Sequence, residues 1–209
     1  MSHIEVALTM ALPSASPSPP AAAQASVAIE RGLVIRARSG DRAAFRTIFD
    51  RYVGGVRRFL GDLLREDAAA DEATQETFVR AFHHLGELRE AERLSSWLFG
   101  IARHVAQEQR RARHRDERGT DDATGDLPDR APSPEGLLLG AESERLLAEA
   151  LGELSDDRRA ALLLRLDHGL GYEAIGATMG WSLPKVKNEI HRARLELRAR
   201  LAQHVGGTP

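Results

Sequence analysis

The sequence predicts an all-α protein made of two small helical domains joined by a flexible linker. Three observations predict this. From residue 27 onward apolar side chains recur at steps of three and four, the spacing of a helix face, and the period-two alternation of a half-buried strand is hard to find. Glycines fall where helical runs stop. Between the two helical blocks, Gly119, Gly125, Pro128, Pro132 and Pro134 stand among Asp, Ser and Thr with almost nothing apolar, which is the chemistry of a connector.

Four helices are expected in the first block, over residues 27–116. The first spans 27–38. In the second, Ala44, Phe45, Ile48, Phe49, Tyr52, Val56, Phe59 and Leu60 form one broad apolar face, and Asp41 stands ahead of it as an N-cap. The third, over 68–85, carries Phe78, Ala81, Phe82 and Leu85, with Gly86 expected as its C-cap. The fourth, over 93–114, places Leu94, Trp97, Leu98, Ile101, Ala102 and Val105 on one side. Trp97 is in phase with that face and is read as core rather than as a stacking platform. The linker is expected over 117–136, and residues 1–26, rich in Ala, Ser and Pro, as a disordered tail.

Four more helices are expected after the linker, in a domain over 137–205: residues 137–151, 156–168, 172–179 and 183–203. Gly169-Leu170-Gly171 and Gly180-Trp181-Ser182 bracket the short one. A short helix, a glycine turn and a longer basic helix have the shape of a helix-turn-helix. Ala174, Ile175, Met179, Val186 and Ile190 are spaced to pack the two helices together. Ser182 can cap the second, and Pro184 is tolerated in its first turn, where backbone N–H groups lack intrahelical partners. Lys185, Lys187, Asn188, His191, Arg192 and Arg194 then line its outer side, early residues toward base edges and later ones toward phosphates. From shape alone, a helical hairpin with a solvated basic face fits as well as a DNA reader.

Composition narrows the function. The 209 residues include no cysteine, which removes disulfides, thiolate metal sites and cysteine nucleophiles. The formal net charge of −2 neither favours nor opposes nucleic acid, because binding needs local rather than total positive charge. The eight histidines include the adjacent His83 and His84 but form no His-Glu-x-x-His pattern. A phosphate-cradling glycine loop and a Gly-x-Ser-x-Gly elbow are also lacking. An enzyme is therefore disfavoured, and no metal or cofactor is called for. No stretch has the length of a membrane span, and the early prolines break any secretory signal, so a cytoplasmic location without membrane insertion is expected.

Longer motifs carry a resemblance. Leu154-Ser155-Asp156-Asp157-Arg158-Arg159, Gly169-Leu170-Gly171-Tyr172-Glu173-Ala174-Ile175-Gly176, Met179-Gly180-Trp181-Ser182 and His191-Arg192-Ala193-Arg194 follow one another in the C-terminal block. In the N-terminal block stand Phe49-Asp50-Arg51-Tyr52, Ala70-Asp71-Glu72-Ala73-Thr74-Gln75-Glu76-Thr77-Phe78 and Ser96-Trp97-Leu98-Phe99-x-Ile101-Ala102-Arg103. In this order they resemble an RNA polymerase sigma factor of the extracytoplasmic-function class, from about residue 31 to residue 201. The resemblance implies a protein that brings core polymerase to promoters and assists melting. It implies partners in the β′ and β subunits, in promoter DNA and in an anti-sigma protein.

The same resemblance implies site residues. Asp71, Glu72, Gln75, Glu76 and Phe78 would dock on polymerase, and their acids also form a patch suited to a basic partner. Arg89, Ser95, Arg103, His104, Arg110 and Arg111 would meet the downstream (minus ten) element, with the loop over 86–95 caging an extruded base. Ser182, Lys185, Lys187, Asn188, His191, Arg192 and Arg194 would read the upstream (minus thirty-five) element. Some positions depart from the pattern. Ala73 and Thr74 replace an apolar pair, His104 stands where asparagine is common, Ser95 where a basic residue is common, and Glu189 where arginine is common. Glu189 either accepts from cytosine N4 or faces away. The rival reading is a stand-alone helix-turn-helix activator, which would carry a sensing module rather than a second basic helical block.

Overall fold

The computed structural model describes the backbone of residues 21–119 and 138–205 and the side chains of 27–115 and 145–202. Every regular element among the described residues is helical. They are α1 (Ala21–Arg38), α2 (Arg42–Leu64), α3 (Asp67–His84), two short 3₁₀ turns (Leu85–Glu87 and Ala91–Arg93), α4 (Leu94–Gly119), α5 (Leu138–Gly152), α6 (Asp156–Leu166), α7 (Tyr172–Met179) and α8 (Leu183–Val205). The all-α expectation holds. α1 begins six residues earlier than the 27 expected, and α4 continues to Gly119 into the expected linker. Residues 1–20 and 120–137, which hold most of the expected tail and linker, lie outside the described residues.

Local chemistry sets the helix ends. The Asp41 carboxylate accepts from the N–H groups of Ala43 (2.9 Å) and Ala44 (3.1 Å), capping α2 as expected. Those backbone bonds, with Arg36 beside it, hold its pKa below the ordinary aspartate value. α2 ends on Arg65 in the left-handed region (φ 61°), whose N–H returns to the Gly61 carbonyl at 2.8 Å. Gly86 does not cap α3. The chain leaves α3 through right-handed Leu85 into a 3₁₀ turn, because Leu85 and Leu88 are drawn under the domain as core residues.

The N-terminal domain is built on α2, with α1, α3 and α4 packed around it. Two apolar clusters fill it. Val34, Ile48, Leu85, Leu88, Ala91 and Leu94 form the smaller, beneath α1 and the 3₁₀ turns. The larger begins with Val56, Phe59, Leu60, Phe78, Leu98 and Phe99 and continues without a break into Ala160–Leu164, Ile175, Val186 and Ile190 of the C-terminal domain. Contact between the domains runs through α4 against α7 and α2 against α6. His168, just after α6, lies edge-on to Phe59 and against Phe99, with ring centroids 5.7 and 4.5 Å away. Burial there pulls its pKa below the ordinary histidine value.

Candidate nucleic-acid and polymerase interfaces

The helix-turn-helix is assembled as its spacing predicts. Ile175, Met179, Val186 and Ile190 are buried between α7 and α8, with Ala174 partly buried beside them. Gly180 closes α7 at φ 68°, a conformation that favours glycine. The next residue folds back so that the Trp181 N–H reaches the Gly176 carbonyl at 2.9 Å. A Cβ on Gly176 would stand 2.9 Å from the Trp181 carbonyl oxygen, so both glycines serve the turn.

All seven residues expected to read the upstream element lie along α8 and its entry. Ser182, Lys185, Lys187, Asn188, His191 and Arg192 are exposed, and Arg194 is half-buried. Two internal contacts orient this face. The Lys185 ammonium sits 4.7 Å from the centre of the Trp181 ring, a cation–π distance. Glu189 is turned to the back of the helix, where Arg158 of α6 holds it at 2.8 Å while also reaching Glu196 at 3.1 Å. Of the two roles open to Glu189, the structure selects facing away. Beneath, buried Arg159 donates to the carbonyls of Leu151 (2.8 Å) and Gly152 (2.5 Å) at the end of α5 and of Leu154 (3.1 Å) in the turn that follows.

The residues expected to meet polymerase divide into three groups. Glu72 and Gln75 are exposed on α3. Asp71 and Glu76 are tied to neighbours: Asp71 to Arg57 at 2.5 Å, and Glu76 to Arg80 at 2.6 Å, Arg80 bridging on to Glu108 of α4 at 2.8 Å. That guanidinium holds the Glu108 carboxyl below its ordinary pKa. Phe78 does not belong on this surface. It is 5% exposed and packs edge-on against Phe49 at 4.7 Å, so it is a core residue. The apolar side chains that α3 does present are Val79 and Phe82, each about half exposed. With Glu72 and Gln75 they form a stripe at steps of three and four. The spacing of Phe82 predicts a core position, but the side chain lies at the edge of that face and is half exposed.

The residues expected to meet the downstream element lie along the loop after α3 and along α4. Glu87, Leu88, Arg89, Glu90, Arg93, Ser96 and Trp97 line a cleft of about 380 Å³, closed on one side by Ala177 of α7. Arg89 is on its rim. Ser95 is half-buried beside it, and Trp97, read from sequence as core, is partly buried between the two apolar clusters while also walling the cleft. His104 and Arg111 are exposed on α4. Arg103 and Arg110 are held by the C-terminal domain, Arg103 by Asp157 at 2.6 Å and Arg110 by Asp156.

These surfaces define a class: an all-α protein with a helix-turn-helix in one domain and, in the other, a basic helix beside a cleft and a mixed acidic and apolar stripe. Family comparison then names the kin. The family model described as Sigma-70 region 2 matches residues 48–116, and that described as Sigma-70, region 4 matches residues 144–197. The chain is 30% identical over 173 residues to RNA polymerase sigma-H factor of Pseudomonas aeruginosa, covering 79% of this chain and 90% of that one. It is 32% identical over 182 residues to the ECF RNA polymerase sigma factor SigE of Mycolicibacterium smegmatis (85% and 70%). Among solved structures, the sigma factor RpoE bound to the anti-sigma factor NepR from Bartonella quintana superposes with a TM-score of 0.66 at 26% identity, over 75% of this chain and 96% of that one. The fold is also that of CnrH in complex with the cytosolic domain of CnrY (TM-score 0.63, 24% identity, 84% and 98%). The chain belongs to the sigma-70 family of RNA polymerase sigma factors, in its extracytoplasmic-function class.

Proposed function

We propose that this chain is the promoter-specificity subunit of a bacterial RNA polymerase and works through three surfaces. The observation that carries the proposal is a solvent-facing basic α8 in one domain together with, in the other, an independent α3 stripe and a cleft beside basic α4. Glu72, Gln75, Val79 and Phe82 dock on core polymerase. Glu72, with Asp71 and Glu76 beside it on α3, gives electrostatic complementarity to a basic partner, and Val79 and Phe82 supply apolar contact area that stays in water when unbound. Lys185, Lys187, Asn188 and Ser182, at the N-terminal end of α8, face base edges of the upstream element, while His191, Arg192 and Arg194 hold phosphates. Arg103, His104, Arg110 and Arg111 track the downstream element, and the cleft between Arg89 and Trp97 receives an extruded base.

Bond-making stays with the polymerase, so the chain acts by binding and positioning and has no catalytic residue of its own. No helix among the described residues is long and apolar enough to cross a membrane, and we place the chain in the cytoplasm, where its polymerase is. The Bartonella relative is bound to an anti-sigma factor. We infer a partner of the same kind for this chain.

Run-off transcription with purified core polymerase on a library of promoter fragments tests the proposal. Initiation at defined sites is expected only with this protein present, and Glu72→Lys with Val79→Asp is expected to abolish it without altering the protein's melting temperature. DNA binding by the free chain with no protein-dependent initiation would overturn it and favour a stand-alone activator.

A further inference from the structure

An apolar seam fixes how far α8 stands from its neighbours better than how it is rolled about its own axis, because apolar burial is non-directional. The seam under α8 is Val186, Ile190, Ala193 and Leu197, all buried. Beside it runs a directional contact. Arg158, in the first turn of α6, donates its Nε to Glu189 at 2.8 Å and its Nη1 to Glu196 at 3.1 Å. The two carboxylates stand two turns apart, about 10 Å along the helix, so one planar guanidinium holds α8 at two points. The base of this bracket is itself fixed, because the adjacent Arg159 is buried and bonded to the carbonyls of Leu151, Gly152 and Leu154. On the far side, Glu189 lies 3.7 Å from the Arg192 guanidinium on the exposed face, and Glu196 accepts from Arg200 at 3.3 Å.

We propose that Arg158 is a positioning residue for upstream-element recognition, bracing α8 against α6 so that Lys185 and Asn188 are presented to base edges in a single orientation. The inference rests on the reading of α8 as the helix that enters the upstream element. Two acids on a helix that meets DNA weaken binding by repelling phosphate. Exchanging a partly buried ion pair for apolar contact commonly leaves stability unchanged. Neither affinity nor stability accounts for the bracket, and orientation does. Base contacts need placement to about half an ångström, whereas phosphate contacts carry no sequence information and tolerate a roll of the helix. Loss of the bracket therefore lowers discrimination between sequences and spares affinity for DNA of any sequence. The bracket needs arginine, because the point charge of lysine cannot hold two carboxylates in a fixed plane.

The test uses holoenzyme reconstituted with the full chain and a promoter fragment recovered from the run-off library. Derivatives of that fragment carry single changed base pairs in the upstream element, or a scrambled upstream element. In Arg158→Lys the ratio of affinity for the recovered fragment to affinity for the changed ones is expected to fall about three- to tenfold. Affinity for the scrambled fragment, and its salt dependence, are expected to stay as they are. Glu189→Gln with Glu196→Gln leaves Arg158 in place and removes both anchors. It is expected to bind the scrambled fragment more tightly, as two anions leave the helix, and yet to lose discrimination. Charge alone would raise affinity for every fragment by one factor and leave the ratio as it was. An unchanged ratio in either folded variant would overturn the bracket. Circular-dichroism melts establish folding, and the glutamine chain decides the matter if Arg158→Lys does not fold. A wild-type holoenzyme that binds the recovered and scrambled fragments equally would instead overturn the reading of α8 on which the bracket rests.

Discussion

Phe78 and Phe82 are four positions apart on α3, about 40° around the helix from one another, and have different fates. Phe78 is enclosed against Phe49, whereas Phe82 touches Phe45 edge-on at 5.0 Å and remains half exposed. Phe78→Ala should cost about 3–5 kcal/mol of folding stability by leaving a cavity. Phe82→Ala should cost under about 1.5 kcal/mol and instead weaken core polymerase binding; paired melts and polymerase titrations check this. Arg159 gives a second contrast. Its neighbours Asp157 and Arg158 are partly exposed and pair with other side chains, Asp157 with Arg103 and Arg158 with Glu189 and Glu196, while Arg159 is 3% exposed and donates to three carbonyls. Burial lowers its pKa, and the bonds offset the cost of desolvation. Arg159→Met removes the donors and leaves the carbonyls buried, which should cost about 2–3 kcal/mol in denaturant titration.

The helix-turn-helix is the element whose sequence and structure agree most closely. Its boundaries at Tyr172 and Met179, its glycine turn and its buried set were all readable, because a short helix that must reverse tightly leaves few residue choices. What the spacing did not reveal is that Gly176, inside α7, is as constrained as Gly180 at its end. Gly176→Ala should drive a methyl against the Trp181 carbonyl, costing about 1–3 kcal/mol and reducing upstream-element affinity as α8 tilts; thermal melts and binding to duplex promoter DNA read the two effects separately. The end of α3 shows the opposite case. A glycine after an apolar run reads as a cap, but Leu85, Leu88, Ala91 and Leu94 supply enough burial to carry the chain into 3₁₀ turns under α1.

At the scale of the whole molecule, His168 reports on the joint between domains. Its ring is packed on Phe59 and Phe99 of the N-terminal domain, and its Nε2 has no hydrogen-bond partner among the described residues. Burial, the largest influence, and the nearby Arg58 both oppose the proton and together outweigh Asp167, which favours it, so the pKa is lowered. The folded chain thus binds fewer protons at this site than the unfolded chain does. Its contribution is complete above the unfolded-state value of about 6.5 and is lost as pH falls from there through the lower folded value. Stability measured from pH 7.5 to 5 should therefore decline, and His168→Gln should flatten that part of the profile. An unaltered slope in the variant would assign the decline to other groups.

The sequence by itself determined the helices, their order, the helix-turn-helix and the family. Each is written in local spacing and in motifs whose residue types are tied to their neighbours: Asp41 ahead of α2, Gly180 before Trp181, and the basic run on α8. Only the tertiary structure decided which face of α3 is open, where Glu189 points, and that Arg103 and Arg110 are held by Asp157 and Asp156. Those outcomes depend on what lies opposite a residue. A guanidinium has the same spacing along its helix whether it faces DNA phosphate or a carboxylate from fifty residues away, and the packing of the two domains supplies the partner.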